Sequence, residues 1–409
     1  MRLRTVVPLL ALLSAVTFVA AGCLAPSSVT FRGHGYGHGR GMGQWGAFGY
    51  AVDQGWSWNQ IVDHYYGGTS ASTLATNPVQ RVLMQANDGR DLVVFQERGH
   101  IVTSSGSSTT GAPAVRIARV DDTRFSLYEG AGCTGPWTLR RTVTASELVV
   151  APTVRNEDRT EMLRVCEASG QRRVRGSLIA VHANATIQTV NRIDTENMLR
   201  AVIAREMSPS WADAGSGRGF QALAAQAVAA RSYMNSGDRR WAPVATTCDG
   251  GSCQAYSGVA YLPNGASTWS TYEDPRTDRA VTETAASVRR FSDGRMAATE
   301  FSASSGGWTR GPVFTEVPDA GDATGANPSH DWSVTIPTST IEAAFDRRQG
   351  RDVGTLQSID VTARNGNGAD GGRVTSVRMR FSSVELVLTG DQMRTTLGLK
   401  SDWFTPTVS

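Results

Sequence analysis

Apolar positions recur at helical spacing in two stretches between residues 194 and 234, and in each a charged residue interrupts the stripe. In D-T-E-N-M-L-R-A-V-I-A-R-E-M-S-P, Met198, Leu199, Val202 and Ile203 fall on one face, and the next position on it is Glu206. In F-Q-A-L-A-A-Q-A-V-A-A-R-S-Y-M, the run is almost wholly alanine and leucine until Arg231, on the face of Leu223 and Ala227. The spacing predicts helices over about 195–207 and 219–235. A carboxylate facing a core is unfavourable by something on the order of several kcal/mol unless it is paired or protonated. Glu206 is therefore either a member of a buried ion pair, with Arg231 or Arg205, or part of a reactive site.

Elsewhere the pattern changes period. W-S-W-N-Q-I-V-D-H-Y-Y predicts a short helix from about Ser57 to Tyr66, with Ser57 as N-cap and Gly67-Gly68 as its stop. Residues 80–193 hold short alternating runs, such as Q-R-V-L-M-Q-A and S-L-I-A-V-H-A, which read as strands. A further helix is expected from about Pro275 to Val288. Strands then alternate with turns, from A-A-T-E-F-S-A-S-S-G-G through W-S-V-T-I, S-I-D-V-T-A and S-V-R-M-R-F to V-E-L-V-L-T. The class is α+β with mostly antiparallel strands, a few helices around the reactive region and a β-rich module. The organisation expected is a signal segment at 1–22, a tether at 23–30, a glycine-rich segment at 31–75, the β-rich module at 76–190 and a core at 191–409.

The chain has 409 residues, 40% hydrophobic and 19% charged, with a formal net charge of +3. That length suffices for two or three domains. So balanced a charge, with no basic run interleaved with aromatics, gives no sign of a nucleic-acid partner. Arg2 and Arg4 followed by the short apolar run Val6–Ala21 make an export signal. Gly22-Cys23 after small residues resembles a lipobox, in which Cys23 is acylated. Ala20 stands where Leu is usual, so cleavage after Ala21 with Cys23 left free is the rival reading, and an uncleaved anchor a third. If Cys23 carries lipid, four cysteines remain, and the simplest pairing is Cys133–Cys166 with Cys248–Cys253.

Six separated motifs give the chain a resemblance. They are I-D-T-E-N-M-L-R-A-V-I-A-R-E-M-S-P-S-W at 193–211, A-L-A-A-Q-A-V-A-A-R-S-Y at 222–233, C-Q-A-Y-S-G at 253–258, F-S-A-S-S-G-G-W-T at 301–309, L-G-L-K-S-D-W-F at 397–404 and G-H-G-R-G-M-G-Q-W-G-A-F-G at 37–49. Together they resemble the SpoIID/LytB family of bacterial cell-wall proteins, which includes a sporulation lytic transglycosylase and an amidase enhancer. The motif order departs from the family's. There, L-G-L-K-S…F continues into G-H-G-x-G-M-x-Q-W-G-A, whereas here the first lies at the end of the chain and the second near its start. Joining Ser409 to Ser27 would restore the usual order, so a circular permutation is expected, with 28–70 packed beside 380–405. Some relatives bind zinc near the C-Q-x-Y motif. Here Ser252 stands where their His would be, so no metal or other cofactor is expected and Cys248 and Cys253 read as a disulfide. Ala224 replaces a family Lys.

The resemblance implies peptidoglycan as substrate or ligand, and it maps the family's catalytic acid onto Glu206. A lytic transglycosylase cleaves the MurNAc–GlcNAc bond without water, leaving a 1,6-anhydro product, and one carboxyl can make both proton transfers. Such an acid needs a raised pKa, which an apolar setting provides. Candidate substrate contacts are Gln226, Arg231, Tyr233, Ser304, Ser305, His38, Gln44 and Trp45. Packing is the alternative for Gln226 and Tyr233, and a structural ion pair for Arg231. The expected geometry puts Glu206 at the floor of a cleft whose other wall is the 33–47 segment. The chain is then an exported cell-wall protein at the outer face of the membrane, held there by a lipid anchor or signal segment. The alternative is a non-catalytic wall-binding protein that modulates an amidase. A muramidase using water would prefer a second carboxylate, for which Asp194, Glu196 and Asp213 are nearby.

Overall fold

The alternating S-V-T-F-R-G-H forms a strand, Ser28–His34, with Val29 and Phe31 fully buried. Residues 28–30 therefore belong to a sheet rather than to the expected tether, because Val29 has a core to enter and the backbone has strands to pair with on both sides. The structure, a computed structural model, describes residues 27–96, 100–103, 107–110, 112–152, 161–237, 243–250 and 253–409. The signal segment and Cys23 lie outside the described residues.

Ser28–His34 is the middle strand of three. It pairs antiparallel with Asp331–Pro337 on one side and Phe404–Val408 on the other. The Ser27 amide donates to the Ser409 carbonyl at 2.8 Å, so residues 27 and 409 adjoin. Phe31 and Phe404 pack edge to face in a core with Ile341, Phe345 and Met379.

Among the described residues there are seven α-helices: α1 (Gln44–Val52), α2 (Trp58–Tyr65), α3 (Thr195–Glu206), α4 (Phe220–Met234), α5 (Pro275–Glu283), α6 (Thr338–Gln349) and α7 (Gly390–Leu397). Ser57 caps α2 in a capping box with Gln60, and Asp194 caps α3 by accepting from the Asn197 amide at 2.9 Å. α4 is buried on nearly every side because alanines let neighbours approach all round it, with α1, α2 and α5 among them. α5 ends at Glu283, five residues short of the expected end. Ala286 turns the chain at φ +60°, and a new strand, Ser287–Phe291, begins. Of the 301–309 motif only Phe301–Ser302 is strand.

The β-rich region is a sandwich of an eight-stranded and a seven-stranded sheet. Leu92, Val94, Ile117 and Phe125 of one meet Leu148, Val150, Leu178 and Ala180 of the other. Burying each such side chain contributes roughly 1.5–3 kcal/mol. The sheets do not stop at residue 190. Thr186–Asp194 runs straight into α3, and Thr247–Cys248, Ala260–Pro263 and Ser270–Thr271 join the two sheets as later strands. This continuity ties α3 directly to the module.

Candidate active site

α3 delivers Glu206 at its last residue, where the unpaired carbonyls of a helix end disfavour a negative charge. The side chain enters a cleft of about 670 Å³ whose walls include His38, Arg40, Tyr233, Ala255, Glu300 and Phe301. Glu206 Oε1 accepts the Ala255 amide at 3.0 Å, and the buried Gln44 side chain bonds the same carboxyl. Burial pushes the Glu206 carboxyl above the usual glutamate range, against the opposing pull of those two hydrogen bonds. The neighbouring Arg205 lies over the Tyr272 ring instead.

The 253–256 segment that supplies the Ala255 amide is fixed at several points. Cys248 and Cys253 are joined as a disulfide, the Gln254 side chain donates through Nε2 to the Ala230 carbonyl of α4 at 3.1 Å, and the Tyr256 hydroxyl donates to Asn191. Cys133 and Cys166 form the second disulfide, far along the sandwich. Bonded to each other, Cys248 and Cys253 carry no free thiol. Among the described residues no group of three His, Cys, Asp or Glu side chains is arranged to hold a metal.

The glycine-rich segment forms the facing wall, and glycine is needed there for closeness. At Gly39 (φ +71°) a Cβ would strike the Arg373 guanidinium, and at Gly41 (φ +63°) the Glu300 carbonyl. His38 Nδ1 accepts the Arg40 amide at 3.0 Å, which leaves the ring proton on Nε2. Burial, and then Arg40, bring the His38 pKa down to about 4, so the imidazole is neutral at neutral pH. Arg40 grips Glu300 in a two-point clamp, Nε to Oε2 at 2.8 Å and Nη2 to Oε1 at 2.6 Å. Burial alone would raise the Glu300 carboxyl, and the Arg40 clamp overrides it and holds it below the usual range.

The other candidate residues divide sharply. Tyr233 lines the cleft, edge to face with Phe301. Trp45 is not among the lining residues of the cleft: it is half-buried against Phe48 and Trp211, its ring centroid 4.4 Å from that of Trp211. Arg231 is not in the cleft: it is fully buried and pairs with Glu196 rather than Glu206. Ser304 and Ser305 are also buried away from a ligand. Ser304 Oγ donates to Asp322 at 2.8 Å and Ser305 Oγ to Asp319 at 2.7 Å, tying the F-S-A-S-S-G-G turn to the 319–322 stretch. Gln226 is fully buried, and its amide atoms have no partner among the described residues.

None of the carboxylates considered from the sequence as partners of Glu206 lines the cleft. Asp194 caps α3, Glu196 holds Arg231, and Asp213 pairs with Arg276 at 2.6 Å. The second glutamate in the cleft is Glu300, which sequence reasoning missed. Its signal was a lone charge immediately before the F-S-A-S-S-G-G run, together with Arg40, the one charged residue of the G-H-G-R-G-M-G-Q-W-G-A-F-G motif.

Residues 183–291 match the family model described as Stage II sporulation protein, SpoIID. No curated protein and no solved structure matches the chain. The matched stretch runs from the end of one sandwich strand through α3, α4, the disulfide loop and α5. Glu206, and the loop whose amide it accepts, thus lie inside the stretch that matches the SpoIID model.

Proposed function

We propose that this chain is a peptidoglycan lytic transglycosylase that cleaves the MurNAc–GlcNAc bond with Glu206 as the one acid and base. The observation that carries the reading is the setting of Glu206: half-buried, with a raised pKa, Arg231 engaged elsewhere, and open to a cleft walled by the glycine-rich segment. A protonated Glu206 gives its proton to the bridging oxygen as the bond from C1 to that oxygen breaks. The MurNAc 6-hydroxyl then bonds C1 and returns its proton to Glu206, so no water is consumed. The Ala255 amide and Gln44 hold the carboxyl in one orientation through both transfers. Neutral His38 offers its Nε2–H to a sugar oxygen, and Tyr233 a phenol.

The SpoIID match supports a cell-wall role, and the N-terminal signal pattern supports work outside the cytoplasmic membrane, with Cys23 as the lipid anchor. Among the described residues no helix is long and apolar enough to cross a membrane. The adjoining residues 27 and 409 support the permuted order of motifs. Purified glycan strands, with and without stem peptides, test the reaction. The expected products are 1,6-anhydro ends, identified by mass and lost in Glu206→Gln. Reducing ends would mean hydrolysis instead, and wall binding without any product would favour the amidase modulator.

A further inference from the structure

The cleft holds two glutamates in opposite settings, and only Glu206 has a task in the reaction above. We propose that Glu300 is a second functional carboxylate, an anion fixed in the wall of the cleft that stabilises the positive charge on the sugar as its glycosidic bond breaks, with Arg40 as its positioning residue. The proposal rests on the transglycosylase reading of Glu206.

Geometry separates this role from two others. Both Glu300 oxygens accept from Arg40, which makes the carboxylate a poor base and a poor nucleophile while leaving each oxygen a free lone pair. A preorganised, half-buried ion pair that needs no rearrangement is the kind of group that stabilises developing charge. Nor is the ion pair required to hold the glycine-rich segment, because hydrogen bonds to main-chain carbonyls already do so. The Met42 amide and the Tyr66 hydroxyl reach the Glu300 carbonyl at 3.2 and 3.0 Å, the Gly37 amide reaches the Lys400 carbonyl at 2.8 Å, and the Arg310 amide the Gly39 carbonyl at 2.8 Å. The charged and titratable groups around the Glu300 side chain are Arg40, His38 and Arg310, with Tyr66 behind it and Glu206, Tyr233 and Asp249 along the same cleft.

The test measures pH–rate profiles on isolated glycan strands for the full chain and for E300Q, R40M, E206Q and the double variant R40M/E300L. In E300Q, kcat should fall about 100-fold with KM nearly unchanged, and the acid limb of the profile should disappear. In R40M the unclamped carboxylate should titrate higher, moving the acid limb up in pH while activity above it persists. An E300Q enzyme within about threefold of the unaltered protein overturns the proposal, as does recovery of activity in the charge-free R40M/E300L variant, which would mark the pair as structural. If E206Q stays active, or the unaltered protein makes no anhydro product, the Glu206 reading has failed and the Glu300 role falls with it. A failure confined to E300Q leaves the Glu206 reading standing.

Discussion

Arg231 reaches Glu196, one helical span away from Glu206: Nε and Nη2 each lie 2.8 Å from a Glu196 oxygen. Its other bonds reach the Val281 and Ser287 carbonyls, both at 3.2 Å, and the Ala227 carbonyl and Thr284 hydroxyl, both at 3.4 Å. One guanidinium thus pins the start of α3, the end of α5 and the strand after it to α4. Truncation to methionine should cost about 3–5 kcal/mol, nearer the lower figure because Glu196 keeps 24% of its side-chain surface and can turn to water. Denaturant unfolding of Arg231→Met checks this. A loss below about 1 kcal/mol would show that the clamp is dispensable.

Because that clamp removes the cation, Glu206 carries no ion pair among the described residues, and Glu206→Gln should separate activity from folding. Glycan cleavage should fall at least 100-fold, in the range of a lost general acid, while the unfolding midpoint stays close to its starting value. The same setting fixes the pH dependence. The acid must be protonated to act, so the rate should decline as pH rises through the elevated Glu206 pKa. A rate that climbed steadily with pH would assign the carboxyl to a base instead.

Asp319 gives a pH signature in stability rather than in rate. It is fully buried beside Asp322, and burial followed by that like charge pushes its pKa up to about 7. The folded pKa lies above the unfolded value of about 3.9. The folded state therefore binds more protons between those pH values, and stability declines as pH rises from about 4 to about 7. In Asp319→Asn that portion of the slope should vanish, and the variant should compare best with the unaltered protein above pH 7. Melting curves from pH 4 to 8 read it directly, and an unchanged slope would contradict it.

How much of this was legible in the sequence follows from the range of each interaction. α3 and α4 announced themselves through periodic apolar side chains, and Ser57 announced α2, because both signals are local. α1 was hidden: Gly46 and Gly49 are poor helix formers, and what favours them is distant, since a Cβ at Gly46 would strike the Tyr65 hydroxyl and one at Gly49 the Gly321 carbonyl. α6 and α7 went unread for a related reason, with short apolar stripes that gain meaning only beside the strands they cover. Charge placement was visible but its partners were not. Arg231 stood out, whereas nothing local preferred Glu196 over Glu206. Ser304 and Ser305 looked like free donors because Asp322 and Asp319 arrive 14 to 18 residues later, through an irregular stretch.

The disulfide loop offers a last test, because it acts on Glu206 through one amide. Closing the short Cys248–Cys253 loop contributes about 2 kcal/mol by chain entropy, so replacing both cysteines with serine should leave the protein folded. The loop also positions the Ala255 N–H, which favours the ionised carboxylate. With the loop loosened, that donor is partly lost, the Glu206 pKa rises further, and the alkaline limb of the rate profile moves to higher pH. The maximal rate falls at the same time, because the carboxyl is no longer held in one orientation. Gln44→Ala should displace the limb in the same direction from the opposite wall, since the Gln44 bond also favours the ionised form. A limb that stays fixed in both variants would mean that these two donors do not set the acidity of Glu206.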